Sequence, residues 1–202
     1  MHQGREPGTY GNPADLAHYI EHLESPERAA WQMPDRVVAA LRLRPGQVVA
    51  DLGAGSGYFA LRLARKVGKP GHVFAVDVEP AVLNVLRERV ARQKAVQVTP
   101  VLGLPENPLL PPASCDCVLS VNAYHHFPAG PAALRRMASL LRRGGRLALI
   151  DFHKRETGMG PPMEERIARE TFLKHLKHIE KTVLRVEKEL TFLPHQYFFL
   201  LR

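Results

Sequence analysis

The sequence predicts an α/β fold, a doubly wound and mostly parallel sheet that finishes with an antiparallel hairpin. From Gln47 onward, short apolar segments alternate with segments of helical spacing, which is typical of βαβ units. The apolar segments contain few polar residues, as strands do in a parallel sheet that is covered on both faces. The last two extended segments are joined by only a short stretch near Pro194, so they must run antiparallel.

Each element of this alternation is predicted from its own pattern. The predicted strands are 48–53 (VVADLG), 72–78 (HVFAVDV), 96–102 (VQVTPVL), 115–121 (CDCVLSV) and 146–152 (RLALIDF). The predicted helices are 58–68 (YFALRLARKVG), 80–94 (PAVLNVLRERVARQK), 131–145 (PAALRRMASLLRRGG) and about 163–178. The third strand contains Pro100, which cannot donate to a strand ladder, so we expect it at a sheet edge.

Short helical patterns precede the sheet and are expected to cap its site. Ser25 followed by Pro26 is typical of an N-cap with proline at the first helical position, and Pro34 suits a second helix start. We predict an N-terminal helical cap or lid over residues 1–34 and a main domain over residues 35–202. The expected lid residues are Tyr19, Trp31, Gln32 and Met33, with core packing as the alternative role of Trp31.

Composition is that of a globular chain, with 202 residues of which 45% are hydrophobic. A single core is therefore possible without disulfides. The sequence shows no apolar run of about 18 residues and no basic start followed by an apolar stretch, so we expect a cytoplasmic protein without a membrane contact. The net charge of +8 allows an acidic partner such as nucleic acid, but its arginines are scattered over several helices, which favours solvated faces.

The two cysteines, Cys115 and Cys117, are predicted to be core residues. Because they stand two apart in a predicted strand, we expect both on the same face, where they are poorly placed to bond each other. Buried free cysteines suit a reducing compartment, and two cysteines alone make a poor zinc site.

A glycine-rich turn follows the first predicted strand, in the stretch VVADLGAGSGYFALRLA. Gly53, Gly55 and Gly57 allow the backbone to turn sharply and to approach a ligand closely. Asp77 ends the second strand, at the edge where an acidic side chain accepts hydrogen bonds from both hydroxyls of a ribose. The two features together predict a nucleoside site.

Asp51, just before the glycines, discriminates between possible nucleosides. A carboxylate at this turn repels a pyrophosphate, which argues against a dinucleotide even though GSGYFA fits the dinucleotide pattern with alanine last. S-adenosyl-L-methionine has no phosphate and carries an ammonium group that a carboxylate attracts directly or through water. The alternative role of Asp51 is structural capping of the turn.

The sequence resembles the class I S-adenosylmethionine-dependent methyltransferases over residues 35–202. The resemblance rests on VVADLGAGSGYFA and VFAVDVEP, with further similarity in VLSVNAYHHF and LRRGGRLALIDF. It implies a Rossmann-like, doubly wound seven-stranded sheet whose last strand is antiparallel. Within the class, WQMPDRVV, AYHHF and LPHQYFFL are most similar to bacterial small-molecule methyltransferases of the quinone-biosynthesis and arsenite group.

The resemblance also implies contacts for the cofactor, S-adenosyl-L-methionine, and for its product, S-adenosyl-L-homocysteine. The residues implied for the amino-acid part and the turn are Asp51, Gly53, Ala54, Gly55 and Gly57. Asp77 is implied for the ribose, Val78 for the adenine, and Asn122 for the methionine part through its main chain. Where the family often has an acidic residue after strand three, this chain has Leu104, so backbone groups at Gly103 and Leu104 or the side chain of Glu106 are expected instead.

A general base is needed only if the acceptor must lose a proton during the in-line displacement. The predicted candidates follow strands four and five: His125 or His126 as the base, with Asp151, and with Tyr124 and His153 beside them. The alternative is a loop histidine that bonds to the backbone. No metal site is predicted, because the fourth strand ends at Asn122 without a carboxylate.

Three other functions remain open. The positive charge is compatible with an RNA or protein methyltransferase, although the motif of enzymes that methylate exocyclic amines is replaced by NAYHH. A catalytically silent protein that binds the cofactor is a second alternative, and a nicotinamide-binding domain is a third. The small number of cysteines argues against a metalloid substrate. A small molecule is the predicted acceptor, and the oligomeric state is not predicted.

Overall fold

A seven-stranded sheet organises the chain. The computed structural model describes residues 20–21, 23–180 and 184–202. Within these residues the strands are β1 (Val48–Leu52), β2 (His72–Asp77), β3 (Val98–Leu102), β4 (Cys115–Val121), β5 (Leu141–Phe152), β6 (Val186–Leu190) and β7 (Gln196–Leu201). Their order is β3-β2-β1-β4-β5-β7-β6. β7 runs antiparallel to both of its neighbours, and the other six strands run in one direction. The predicted fold class is therefore confirmed, with β3 at the expected edge.

Helices flank the sheet on both faces. They are α1 (Arg28–Gln32), α2 (Pro34–Ala40), α3 (Ala60–Val67), α4 (Pro80–Arg92), α5 (Gly130–Ser139) and α6 (Arg169–Glu180). Pro34 and Pro80 stand in the first turns of their helices, and Gly68 caps the end of α3, as their sequence positions predict. In the described part of the chain, no helix combines the length and the apolar character needed to cross a membrane.

Two apolar cores form between the helices and the sheet. On one face, side chains of α2, α3 and α4 such as Val37, Leu63 and Leu86 pack against alternate residues of the central strands. On the other face, α5 and α6 contribute residues such as Leu134 and Phe172. Strands that are buried on both faces need the nearly continuous apolar sequences from which the parallel sheet was predicted.

The helix predicted over 131–145 is shorter than expected. It ends at Ser139, and β5 begins at Leu141, which pairs with Cys115 of β4. Leu140 is buried, and its carbonyl accepts the Cys115 N–H at 2.9 Å. The prediction was wrong here because the apolar spacing of LLRRGG continues the helical period, whereas the sheet offers these residues ladder partners.

The helix predicted over about 163–178 also begins later than expected. Met163–Glu165 is a single 3₁₀ turn, and α6 starts only at Arg169. Between them Arg166 has an extended backbone, with φ −75° and ψ 137°. This conformation interrupts the helix and turns the Arg166 side chain back toward the preceding loop, with consequences described below.

The cysteines are buried and free, but they lie on opposite faces of the sheet. Cys117 belongs to the core under α2, α3 and α4, whereas Cys115 belongs to the core under α5 and α6. The register of β4 against β5 shifts between these two residues. This irregularity breaks the alternation of strand side chains, so the expectation of a shared face was wrong.

Candidate active site

A pocket of about 580 Å³ opens beyond the carboxyl ends of the central strands. It lies where the strand order reverses, since β1 pairs with β2 on one side and with β4 on the other. This reversal point is the usual ligand site of open parallel sheets. The volume falls in the range of small-molecule and cofactor sites. Of the predicted residues, those that line the pocket are Asp51, Gly53, Ala54, Gly55, Asp77, Val78, Leu104, Asn122, His125 and His126.

The glycine turn needs its glycines for two different reasons. Gly53 and Gly57 have positive φ, and a β-carbon at either would overlap a neighbour, namely Ala123 at Gly53 and Leu86 at Gly57. Gly57 therefore provides close helix packing and does not line the pocket, whereas Gly53 and Gly55 do line it. The turn is held to β2 because the N–H of Gly53 donates to the Val76 carbonyl at 2.9 Å.

Asp77 connects the turn to the end of β2. Its Oδ2 accepts the Gly55 N–H at 2.8 Å, and its Oδ1 accepts the Glu79 N–H at 3.1 Å. Burial raises the pKa of this carboxyl, while the backbone donors at Gly55, Glu79 and Val78 oppose that rise. The carboxylate is thus fixed at the pocket wall by backbone bonds.

Asp51 is a buried carboxyl group without full hydrogen bonding. Its residue is 2% exposed, and within the described residues its Oδ2 has no hydrogen-bond partner. Burial, followed by the charge of Asp77, raises its pKa to about 7, and the nearby Arg28 opposes this rise. A carboxylate in this setting gains more from a cationic ligand than one already paired by the protein.

The segment after β3 differs from its predicted role in part. Gly103 does not line the pocket, and its N–H already donates to the Asp77 carbonyl at 2.9 Å. The Leu104 N–H donates to the Asn107 carbonyl at 2.7 Å, so neither amide is available as a donor to a ligand. Glu106 lines a neighbouring cavity of about 350 Å³. Leu104 and Val78 remain as apolar walls of the pocket.

His125 and Asp151 form a buried pair at the ends of β4 and β5. The His125 Nδ1 lies 2.8 Å from Oδ1 and 2.9 Å from Oδ2 of Asp151, and the two side chains are 2% and 1% exposed. The Asp151 carboxyl also accepts the backbone N–H groups of His125 and Phe152. An acceptor at Nδ1 favours the tautomer with a proton there, which leaves Nε2 as the acceptor of the ring.

The neighbouring candidates have other surroundings. His126 lines the pocket, with its ring centroid 4.0 Å from that of His125. Tyr124 is fully buried, and its hydroxyl lies 3.1 Å from Nδ1 of His175 on α6. His153 does not line the pocket, and its ring lies against Tyr197. Of the five candidates, the structure thus brings His125, His126 and Asp151 together.

Asn122 belongs to a ring of three amides that the sequence did not predict. Its Nδ2 donates to Oε1 of Gln32 at 3.2 Å, the Gln32 Nε2 donates to Oε1 of Gln196 at 2.9 Å, and the Gln196 Nε2 donates back to Asn122. Gln32 and Gln196 are at most 1% exposed. The ring ties α1 to β4 and β7 beside the pocket.

Among the N-terminal residues that the structure describes, those that line the pocket match the expected lid residues only in part. Leu23, Arg28 and Trp31 line the pocket, and the Trp31 ring lies 5.6 Å from that of Phe152. Gln32 acts in the amide ring rather than as an apolar lid, and Met33 packs against the core. Tyr19 lies outside the described residues. Arg28 was missed because its sequence position does not distinguish it from the other arginines.

A polar contact also fastens this segment to the glycine turn. The Glu24 carboxylate accepts the Ser56 hydroxyl and pairs with Arg89, whose guanidinium also donates to the Ser56 carbonyl at 3.0 Å.

The division into a cap over 1–34 and a domain over 35–202 stays a prediction. Among the described residues, no cluster of three or more His, Cys, Asp or Glu side chains has the arrangement of a metal site.

Comparisons with known proteins agree with this geometry. A protein-family model, described as a methyltransferase domain, matches residues 49–145. The chain is 34% identical over 112 residues to a ubiquinone/menaquinone biosynthesis C-methyltransferase from Vibrio cholerae, covering 55% of this chain and 43% of that one. It is 36% identical over 111 residues to an arsenite methyltransferase from Halobacterium salinarum, covering 54% and 28%. The chain therefore spans less than half the length of these relatives.

A solved structure of a SAM-dependent methyltransferase from Aquifex aeolicus has the same fold, with a TM-score of 0.82 and 24% identity over 91% of this chain and 96% of that one. Fold and motifs together are those of the class I S-adenosylmethionine-dependent methyltransferases. Residues 49–145, just under half of the chain, carry the match to the methyltransferase domain model. The cofactor of the class is S-adenosyl-L-methionine.

Proposed function

We propose that this chain transfers a methyl group from S-adenosyl-L-methionine to a small-molecule acceptor, with S-adenosyl-L-homocysteine as the second product. The observation that carries the proposal is Asp51, a buried carboxyl group beside a turn of glycines whose Oδ2 has no hydrogen-bond partner in the described part of the chain. Its charge repels a pyrophosphate and attracts an ammonium group. Asp77 stands at the adjacent strand end, where a ribose lies in open parallel sheets.

The residues around Asp51 fit the amino-acid part of the cofactor. Its carboxylate would hold the ammonium group, and the backbone of Gly53 to Gly55 would lie alongside. Arg28 lines the same pocket close enough to lower the pKa of Asp51, so its guanidinium would hold the carboxylate of the amino-acid part. Asn122 would contact the same part through its main chain, since its side chain is used in the amide ring.

The nucleoside would lie along the ends of β2 and β3. Asp77 would accept from the ribose hydroxyls with the lone pairs that its backbone donors leave. Val78 and Leu104 would enclose the adenine between apolar side chains. Because the N–H groups of Gly103 and Leu104 are already engaged, adenine recognition here would depend on shape more than on hydrogen bonds from these two residues.

His125 is the proposed general base. When bound, the cofactor supplies an electrophilic methyl group that needs no activation by the protein. The residues therefore have to align the acceptor, exclude water and remove its proton where it has one. His125 would take that proton at Nε2, because Asp151 holds Nδ1 in its protonated form. His126 would line the approach to it.

A small organic acceptor fits the space that remains. Trp31 and Phe152, whose ring centres lie 5.6 Å apart, together form an aromatic wall, and Phe127 and Pro161 add apolar surface. Leu23 and Trp31 also line the pocket, and apolar side chains at this position would restrict access for a macromolecule. The quinone-biosynthesis and arsenite relatives act, by their names, on small molecules.

An RNA or protein acceptor is the alternative that the charge of +8 favours. Several of the arginines, however, are paired within the protein, as in Arg89–Glu24, Arg142–Asp116 and Arg169–Glu189. A silent protein that binds the cofactor is distinguished from an enzyme only by turnover.

A cytoplasmic location remains part of the proposal, supported by two buried cysteines that are free.

Labelled-methyl transfer tests the proposal. Protein and cofactor with a labelled methyl group are incubated separately with fractionated metabolites and with RNA, and His125→Ala serves as the inactive control. Label in a metabolite fraction, lost in the control, supports a small-molecule methyltransferase. Label in RNA only, or affinity for RNA that falls steeply with salt, would favour the alternative. Cofactor binding without label in any fraction would indicate the silent protein.

A further inference from the structure

Arg166 is buried, with 6% exposure, and binds one loop through every part of its guanidinium group. Its Nε donates to the Pro161 carbonyl at 2.8 Å, and its NH2 group donates to the Met159 carbonyl at 2.7 Å. Its NH1 group donates to the carbonyls of His153 and Arg155 at 3.1 and 2.8 Å and to the Thr157 hydroxyl at 2.8 Å. All these acceptors belong to residues 153–161, the loop that follows β5.

This loop forms one wall of the pocket. Gly160 and Pro161 line it together with Phe152 at the end of β5. A β-carbon at Gly160 would stand 2.7 Å from the Phe152 ring, so loop and ring are in close contact. The guanidinium carbon of Arg166 lies 5.2 Å from the centre of the same ring. Trp31 of α1 also contacts Phe152.

We propose that Arg166 is the positioning residue of the acceptor wall, which fixes residues 153–161 and Phe152 in place before any acceptor binds. This inference rests on the proposed function, since it assigns the wall to the acceptor. Arg166 donates to four carbonyl groups of the loop and thereby holds them together. Only arginine has a planar group with five donors for this purpose, whereas lysine offers three donors at a single point.

Arg169 provides a matched control three residues later. Its guanidinium also makes two short hydrogen bonds, to Oε1 and Oε2 of Glu189 at 2.7 and 2.6 Å, and its carbon lies 5.6 Å from the centre of the Phe199 ring. It does not line the pocket, and its side-chain hydrogen bonds within the described residues go to Glu189 and not to the loop. Loss of Arg169 therefore removes guanidinium hydrogen bonds and a ring contact from the same part of the chain without releasing the wall.

Trp31 reports the state of the wall, because it is the single tryptophan of the chain and contacts Phe152. The full chain would be compared with Arg166→Met, Arg166→Lys and Arg169→Met. Acrylamide quenching measures access to Trp31, and hydrogen exchange measures the amides of residues 153–161. Calorimetry with S-adenosyl-L-homocysteine measures the cofactor site. The labelled-methyl assay on a dilution series of the active extract fraction separates acceptor affinity from maximal rate.

We expect Arg166→Met to raise the quenching constant at least twofold and to speed exchange in the loop at least tenfold, with Arg166→Lys between it and the wild type. Affinity for S-adenosyl-L-homocysteine should stay within twofold. The extract concentration for half-maximal rate should rise at least fivefold, with the maximal rate within twofold. Arg169→Met should match the wild type in all four measurements.

Wild-type quenching and loop exchange in Arg166→Met would overturn the proposal, as would equal changes in Arg169→Met. If Arg166→Met does not fold, Arg166→Lys must still show the local increases, and its failure to do so would have the same meaning. A wild-type chain that binds no S-adenosyl-L-homocysteine and labels no fraction would instead refute the proposed function, because quenching and exchange report the wall independently of it.

Discussion

The backbone N–H of Gly55 donates to Oδ2 of Asp77 across 2.8 Å. This bond joins the glycine turn after β1 to the acidic end of β2, two features that are 22 residues apart in the sequence. Turn and carboxylate therefore form one unit, and the position of each depends on the other. Substitution of Asp77 should affect the shape of the turn as well as the contact to a ribose.

Asp77→Ala should weaken binding of S-adenosyl-L-homocysteine by about 1–3 kcal/mol, the range for a lost hydrogen bond to a charged group. Asp77→Asn should weaken it less, because the amide oxygen still accepts the Gly55 N–H. Isothermal calorimetry measures both. Asp35→Ala is the control, since the Asp35 side chain is 98% exposed, and it should bind as the wild type does. Unchanged affinity in Asp77→Ala would refute the ribose assignment.

Cofactor affinity should depend on pH through Asp51. Its pKa is raised to about 7 in the unliganded protein, mainly by burial, so the group loses its charge as the pH falls below that value. Affinity for S-adenosyl-L-homocysteine should then fall by up to about tenfold per pH unit between pH 7 and 5. Asp51→Asn should remove this dependence of affinity on pH. Parallel pH profiles for wild type and Asp51→Asn would contradict the assignment.

Asp51 should also make the stability of the unliganded protein depend on pH, in the opposite direction from cofactor affinity. Because the folded pKa lies above the unfolded value of 3.8, the native state holds a proton that the unfolded state has lost between about pH 4 and 7. This contribution to stability is present at low pH and is lost as the pH rises to about 7. Unliganded Asp51→Asn should therefore be more stable than wild type at pH 8, by about 1 kcal/mol or more, and melt at least about 2–4 °C higher. Thermal melts that show equal or lower stability at pH 8 would contradict this.

His125→Ala and Asp151→Asn should both slow methyl transfer by about 10²–10⁴-fold, the usual contribution of a positioned base. Asp151→Asn should act through His125, because it changes which ring nitrogen of that histidine carries the proton. Affinity for S-adenosyl-L-homocysteine should stay within about twofold in both variants. His126→Ala is the neighbouring control and should have the smaller effect on rate. If both histidine variants turn over normally, neither residue is the base and the acceptor needs none.

Gln32→Ala should destabilise the protein by about 1–3 kcal/mol, because it leaves the Asn122 Nδ2 and the Gln196 Oε1 without their buried partner. Loosening of α1 should also weaken binding of S-adenosyl-L-homocysteine, since Arg28 and Trp31 stand on the same helix. Urea unfolding and calorimetry provide the two measurements, with the exposed Gln93→Ala as the control. A loss of stability without any change in affinity would show that the ring is structural only.

The architecture and half of the site followed from local patterns. Apolar strands, proline positions and the glycine turn act over a few residues, so the sheet, its β3 edge, the final hairpin and the placement of Asp51 and Asp77 were predictable. The helix end at Ser139 was not, because competition between helix and ladder depends on a partner strand. The cysteines were misplaced for the same reason, since a register shift against β5 changes the face.

The remaining contacts join residues that are distant in sequence. The amide ring connects Gln32 with Asn122 and Gln196 across separations of 90 and 164 residues. Arg166 binds backbone carbonyl groups, which every residue has, so the sequence does not show where they gather. Its role could therefore not be distinguished from that of Arg169. The pairing of His125 with Asp151 required two adjacent strands to end together, and the sequence supplied only the candidates.

Calorimetry of the wild-type chain at pH 8 with S-adenosyl-L-homocysteine, and separately with NADH, tests the central claim most directly. Asp51 next to the glycine turn should select the nucleoside that carries an ammonium group and no phosphate. The expected result is saturable, one-to-one binding of S-adenosyl-L-homocysteine that Asp51→Asn and Asp77→Ala both weaken, with no heat of binding from NADH. Binding of NADH in preference to S-adenosyl-L-homocysteine would contradict this account of the site.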